Sequence, residues 1–185
     1  MNPRSVGLKL LDYTEKMYKV NNQSTQDITH LDDILKHFMP YNQKQLGWNK
    51  PVNLFFSSDK ENANKILGRT AHYNPEDFSI TVYIDGRHPK DVLRSLSHEL
   101  VHHDQNCRGE FDNDLVSTEA GYAQNNPHLR RMELEAYKKG NIIFRDFEDL
   151  IKTGKLNIKL SGEPKMSLQE WKNKELNMLL MEKWG

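Results

Sequence analysis

The sequence predicts an α+β fold in which a small antiparallel or mixed sheet packs against two long helices, with extra helices at both termini. The long helices are indicated by apolar residues that recur every three or four positions over residues 89–107 and 127–150. The strands are indicated by shorter stretches rich in strand-forming residues at 51–56, 70–73 and 78–84. Since the chain has 185 residues, these elements are expected to share one core.

Two helices are expected before the first strand, within residues 1–45. They cover approximately residues 5–19 and 27–38, and the polar residues 21–25 form the loop between them. The second helix is expected to end before Pro40, because proline has no backbone N–H with which to continue the helical hydrogen bonds.

Residues 51–152 are predicted to form the core of a single domain that spans residues 1–185. A polar connection over residues 108–126 joins the two long helices, and long links without regular structure usually carry function. This connection is therefore expected to border any cleft between the helices. Residues 161–185 are expected to contain a final helix, since the sequence Ser-Leu-Gln-Glu at 167–170 fits a capping box.

The composition argues against several classes of partner. The chain has 26 basic and 26 acidic residues without a large block of one sign, so neither nucleic acid nor a membrane is expected as its main partner. Its one cysteine, Cys107, lies on the apolar face of a predicted helix, where a packing role is expected. Residues 1–5 lead into a mixed stretch that lacks the apolar segment of a signal peptide. The predicted location is the cytoplasm, or the host cell or virion for a viral protein.

The stretch with the clearest chemical pattern is His98-Glu99-Leu100-Val101-His102. Residues four apart on a helix lie on nearly the same face, so both imidazoles can bind one metal ion while Glu99 lies beside it. The opposite face of this helix is apolar and carries Val92, Leu93, Leu96, Leu100 and Cys107. One face is therefore expected to pack in the core and the other to line a cleft. The pattern predicts a zinc site, and the alternative is a pair of histidines on a solvated surface.

A hydrolytic zinc site has three protein ligands and one open position, so another part of the chain has to supply the third ligand. One large class of zinc peptidases has a histidine six residues after the second, but this chain has Arg108 there. On the second long helix, Glu133 lies about 45° from the centre of the apolar face and Glu135 about 115° from it. An inward carboxylate needs a metal or a cationic partner, so Glu133 is predicted as the third ligand, with an arginine ion pair as the alternative. Glu135 is expected to pair with Arg131 or Lys139.

Further polar residues near the motif have predicted roles. His128 is the main rival for the third ligand, although it points about 140° away from Glu133 around the helix. Tyr122 and His128 are candidates to stabilise the oxyanion that forms when water attacks a carbonyl, and the alternatives are a packed tyrosine and an exposed histidine. His103 and Asp104 face the core side of the motif helix, where a hydrogen bond between them or to a ligand is expected.

These residues resemble the gluzincins, a family of zinc metallopeptidases in which the two-histidine helix is followed by a second helix that carries a glutamate ligand. Glu-Leu-Glu-Ala at 133–136 matches this second element, and residues 79–84 look like the edge strand that pairs with an extended substrate in small members. The resemblance covers roughly residues 51–150 and implies a zincin-like fold. Tyr137 departs from the pattern, because many members carry Asp or Asn there to hold a zinc histidine. Residues 122–141 are also similar to uncharacterised peptidases of bacterial viruses.

The function that these residues imply is zinc-dependent hydrolysis of peptide bonds. His98, His102 and Glu133 would hold the zinc ion, and Glu99 would act as general base on a zinc-bound water. The expected partner is a peptide or protein substrate. Two alternatives stay open, namely a non-catalytic binding or regulatory module that zinc stabilises, and a hydrolase of cell-wall peptides or of proteins bound to DNA.

Overall fold

The computed structural model describes residues 17–59, 70–111 and 126–161. The elements in these ranges are β1 (Tyr18–Asn22), α1 (Thr29–Leu46), β2 (Val52–Ser57), β3 (Ala71–Asn74), β4 (Ser79–Tyr83), α2 (Pro89–Cys107) and α3 (Pro127–Lys152). They form an α+β fold, as the sequence predicts. Most of the predicted helix at 5–19, most of the polar connection and the helix predicted from residue 167 lie outside the described residues. Among the described helices, none is long and apolar enough to cross a membrane.

The strands of the described ranges form one mixed sheet in the order β1-β2-β4-β3. β2 is parallel to β1 and to β4, whereas β3 pairs antiparallel with β4. Leu54 and Phe56 of β2 and Ile80 and Val82 of β4 are fully buried, so every second residue of the two central strands points into the core. α2 packs against β3, β4, α1 and α3. The position of α2 therefore determines where its polar face meets both the sheet and α3.

The expectation that residues 79–84 form an edge strand is wrong. β4 has β2 on one side and β3 on the other, so it is an interior strand. The edge beside it in the described part of the chain is β3, a short strand with the sequence Ala-His-Tyr-Asn. The alternating apolar residues of β4 suit either position, and only its parallel pairing with β2, which is distant in the sequence, decides between them.

Two predictions for the N-terminal part are also wrong. Residues 18–22 form β1 rather than the end of a helix and a loop, because they pair with β2 and place side chains against the core. α1 starts where predicted but continues past Pro40. The carbonyl that Pro40 leaves without a donor belongs to Lys36, which is exposed to water. The helix ends instead at Leu46, and it is capped by Gly47, whose φ of 95° suits glycine.

Both long helices begin with the residues that the sequence predicts. The side-chain oxygen of Asn126 accepts hydrogen bonds from the backbone N–H groups of His128 and Leu129, and Pro127 occupies the first turn of α3. Pro89 occupies the corresponding position in α2. These starts place each helix in register, and the register determines which side chains meet where α2 crosses α3.

Candidate metal centre

The side chains of His98, His102 and Glu133 converge between α2 and α3. The Nε2 atoms of the two histidines are 3.2 Å apart. The Glu133 carboxylate places Oε2 3.4 Å from Nε2 of His98 and Oε1 3.5 Å from Nε2 of His102. One ligand atom from each of the three residues lies within 4.8 Å of the others. The structure thus brings together the three residues that helical spacing singled out.

The spacing of these three groups can be compared with that of a metal site. In a tetrahedral zinc site with bonds of about 2.1 Å, neighbouring ligand atoms lie about 3.4 Å apart. The two Nε2 atoms lie 3.2 Å apart, and each of them has a different oxygen of Glu133 at 3.4 or 3.5 Å, so each pair of facing groups is close to this spacing. Two imidazoles and one carboxylate are also a donor set that zinc accepts, and three ligands leave one position open. The three side chains therefore form a group that could hold a metal ion, and their donor atoms are of the kind that zinc accepts.

The two carboxyl groups of the centre have opposite electrostatic environments. Glu99 is buried, with 8% of its surface exposed. Burial raises the pKa of the Glu99 carboxyl above its usual value, although His102 and His98 oppose the shift. Hydrogen bonds with His102 and His98 hold the pKa of Glu133 well below its usual range. Such a separation suits Glu133 to a role as an ionised ligand and Glu99 to a role in proton transfer.

Glu135, which helical spacing sets apart from Glu133, has other partners. Its carboxylate pairs with Lys139 at 2.6 Å, which is one of the two expected partners, and with Arg108 at 3.1 Å. Arg108 also pairs with Asp104 at 3.1 Å. Asp104 therefore pairs with Arg108, one turn further along the chain. The hydrogen bond between His103 and Asp104, which is one of the two expectations, does not form.

A cleft of about 460 Å³ opens onto the three clustered side chains. β3 and the turn after it contribute residues 71–75 to its lining, whereas Phe111, Leu129 and Met132 contribute apolar side chains. The polar side chains of the metal centre that line it are His98, Glu99, His102 and Glu133. The cleft therefore combines a group of side chains that could hold a metal ion with a buried carboxyl, a strand edge and an apolar surface.

Some backbone N–H and C=O groups of β3 point towards this cleft and not towards β4. The N–H of Tyr83 donates to the carbonyl oxygen of Thr70 at 3.0 Å, so these two residues form a hydrogen-bonded pair. In an antiparallel ladder, such pairs alternate with pairs whose backbone groups point outwards. Ala71 and Tyr73 are therefore the residues of β3 that turn their N–H and C=O groups away from β4. In agreement, the backbone of Tyr73 faces Glu99 and works against the rise in the pKa of its carboxyl.

The side chain of Tyr73 ties β3 to α2. Its hydroxyl accepts a hydrogen bond from Nδ2 of Asn106 at 2.8 Å and lies 3.2 Å from Nδ1 of His103. His103 is fully buried, and its Nε2–H donates to the carbonyl oxygen of Lys50 at 2.9 Å, so Nδ1 accepts from the Tyr73 hydroxyl. Burial lowers the pKa of His103 to about 4, and the ring is neutral. This network fixes the edge strand against the helix that carries Glu99.

Gly140 allows α2 and α3 to approach at the centre. A Cβ atom on Gly140 would lie 3.0 Å from Cα and 3.1 Å from the backbone N of His98. The Ser97 hydroxyl donates to the carbonyl oxygen of Gly140 at 2.9 Å, which holds the same crossing point. Gly140 is two helical turns from Glu133 and lies on the same face of α3. The close approach at Gly140 therefore sets the distance over which Glu133 reaches the two histidines.

Replacing Gly140 with alanine is expected to destabilise the protein by about 1–2 kcal/mol, because overpacking at the crossing outweighs the higher helix propensity of alanine. Zinc binding should weaken as well, since the helices have to move apart. Urea unfolding and zinc titration measure the two effects, and Asn141→Ala on the exposed side of α3 is the control. A more stable Gly140→Ala variant with unchanged zinc affinity contradicts this role.

The remaining candidates are not brought to the cluster. His128 donates from Nε2 to the carbonyl oxygen of Glu110 at 3.1 Å and does not line the cleft. Tyr122 lies outside the described residues. Tyr137 packs its ring edge-on against His98, with 4.7 Å between the ring centroids, and is 63% exposed. The tyrosine that stands where many gluzincins carry Asp or Asn therefore contacts the ring of a clustered histidine.

Sequence reasoning missed the roles of Tyr73 and Gly140, because each depends on a contact between elements that are far apart in the sequence. Comparisons of the chain with protein-family models, with curated proteins and with solved structures found no match. The likeness to gluzincins is therefore carried by the motif and by the clustering of His98, His102 and Glu133.

Proposed function

We propose that the protein is a zinc-dependent peptidase of the gluzincin type, with a zincin-like fold, that hydrolyses peptide bonds in the cleft beside β3. The observation that carries this proposal is the convergence of His98, His102 and Glu133 on one point at the cleft, with Glu99 buried next to it. A zinc site that only stabilises a fold does not need a buried carboxyl at this position.

The residues of the centre have different roles in the proposed hydrolysis. A zinc ion held by His98, His102 and Glu133 would supply a Lewis acid that lowers the pKa of water and polarises a carbonyl group. Glu99 takes a proton from the attacking water and delivers it to the leaving amine. Because burial raises its pKa, the Glu99 carboxyl holds that proton more readily than a solvated glutamate.

β3 is the element that would hold the substrate. The backbone N–H and C=O groups of Ala71 point away from β4, at an edge that lines the cleft. An extended peptide can add to such an edge as a further strand, which aligns it without demanding a particular sequence. Tyr73 and Glu99 both line the cleft, so a peptide paired with this strand would pass close to the buried carboxyl.

Removal of the metal tests this function. The zinc-loaded chain is expected to cleave peptides in a mixture derived from a digested proteome, and mass spectrometry identifies the new ends. Chelation should abolish the cleavage, and added zinc should restore it. Cleavage that persists after complete removal of metal, or a zinc-loaded chain that cleaves no peptide, contradicts the proposal.

A further inference from the structure

Gln105 joins the two helices of the metal centre. Its side chain is fully buried. Its Oε1 lies 2.8 Å from Nδ1 of His102. Its Nε2 donates to the carbonyl oxygen of Met132 at 3.0 Å and to Oε2 of Glu135 at 2.9 Å. One amide of α2 thus contacts a clustered histidine and two acceptors on α3.

The two acceptors on α3 determine which way the amide of Gln105 faces. A backbone carbonyl and a carboxylate can only accept hydrogen bonds, so the amide nitrogen has to face α3. The amide oxygen then faces His102, and it can bond to Nδ1 only if that nitrogen carries the proton. When the ring carries both protons, Nε2 can also donate to the Glu133 carboxylate 3.5 Å away. When the ring is neutral and its proton stays on Nδ1 with Gln105, Nε2 is unprotonated, and its lone pair is directed at the point where Glu133 and His98 meet.

We propose that Gln105 is a positioning residue that holds His102 in the tautomer and orientation needed to bind a metal ion through Nε2. This inference rests on the proposed function, since it takes His102 to be a metal ligand. Partners of this kind commonly fix the ring orientation of a ligating histidine and raise its basicity. Tyr137 gives His98 only a ring contact. The side-chain amide of Gln105, by contrast, forms a hydrogen bond with His102 on the same helix.

Glu135 contacts Gln105, which in turn contacts His102. The carboxylate of Glu135 pairs with Lys139 at 2.6 Å and with Arg108 at 3.1 Å, and it accepts a hydrogen bond from the amide of Gln105 at 2.9 Å. A hydrogen bond to a charged carboxylate is stronger than one to a neutral acceptor. The sequence Glu-Leu-Glu then has two roles, with Glu133 as a ligand and Glu135 as an anchor for the residue that orients another ligand.

The test compares the zinc affinity of full-length variants by competition with a coloured chelator. Gln105→Met keeps the length of the side chain but removes the acceptor for His102, and it is expected to weaken zinc binding by about 10- to 100-fold. Glu135→Gln should weaken binding less, because the second acceptor on α3 remains. Glu148→Gln is the matched control, since Glu148 also lies on α3 and pairs with a lysine, Lys90, at 2.6 Å. It should bind zinc like wild type.

Two further measurements separate positioning from a purely structural role. The absorption spectrum of the cobalt-substituted protein should change in Gln105→Met, because His102 loses its fixed orientation. An unchanged spectrum together with wild-type zinc affinity overturns the proposal.

The second measurement is the nitrogen NMR spectrum of the wild-type histidine rings, recorded without metal at a pH where His102 is neutral. It should show the His102 proton on Nδ1. A proton on Nε2 overturns the proposal even if Gln105→Met does not fold. A wild-type chain with the proton on Nδ1 that binds no zinc contradicts the proposed function instead, and the positioning by Gln105 stands.

Discussion

Replacing Glu99 with glutamine is expected to slow peptide hydrolysis by about 10²- to 10⁴-fold while zinc stays bound. Glutamine has nearly the same shape, so the buried position beside the cluster stays filled, but its amide cannot take a proton from water. The measurement is the turnover of a cleaved peptide by zinc-loaded protein, together with the zinc content of the same sample.

Glu76→Gln is the control for this substitution. Glu76 lies exposed in the turn between β3 and β4, so the same change of carboxyl to amide is made outside the metal centre. It should leave turnover and zinc content unchanged. Full activity in Glu99→Gln would exclude Glu99 as the proton acceptor, and loss of zinc in this variant would assign it a role in binding the metal.

Replacing Glu133 with alanine is expected to weaken zinc binding by more than about 100-fold. Loss of a ligand should lower the zinc affinity more than loss of a residue that only hydrogen-bonds to a ligand. Zinc at about 100 times its dissociation constant stabilises a folded protein by about 2.7 kcal/mol. The zinc-dependent rise in unfolding temperature should therefore disappear in Glu133→Ala. Elemental analysis of the purified protein measures the bound metal directly.

Glu148→Ala is the control for this ligand, because it also removes a carboxylate from α3 but at the pair with Lys90 and away from the two histidines. It should retain zinc and the zinc-dependent rise in unfolding temperature. Equal zinc content in wild type and Glu133→Ala would contradict the assignment of Glu133 as a ligand.

The parts of the centre that follow from helical periodicity could be predicted from the sequence. Positions four apart place His98 and His102 on one face of α2, and the apolar stripe of α3 distinguishes Glu133 from Glu135. The cap at Asn126 fixes the start of α3 through local hydrogen bonds, which a short stretch of sequence contains. These features depend only on residues that are close in the sequence, so they can be predicted without knowledge of the tertiary structure.

The errors concern features that depend on contacts between distant parts of the chain. The edge position belongs to β3 rather than to 79–84, because β2 pairs with β4 across the sequence. Pro40 lies inside α1, and the carbonyl that it leaves without a donor belongs to the exposed residue Lys36. Gly140 has no local signature either, since the backbone of Ser97 and His98 on the other helix explains why a side chain does not fit there.

A crystal structure of the zinc-loaded protein tests the central claim most directly. It should show one zinc ion bound by Nε2 of His98, Nε2 of His102 and the carboxylate of Glu133, with a water molecule in the fourth position beside Glu99. A fourth protein ligand that closes the site would identify the zinc as structural and contradict the catalytic role. Zinc bound elsewhere, with this cluster empty, would contradict the metal centre itself.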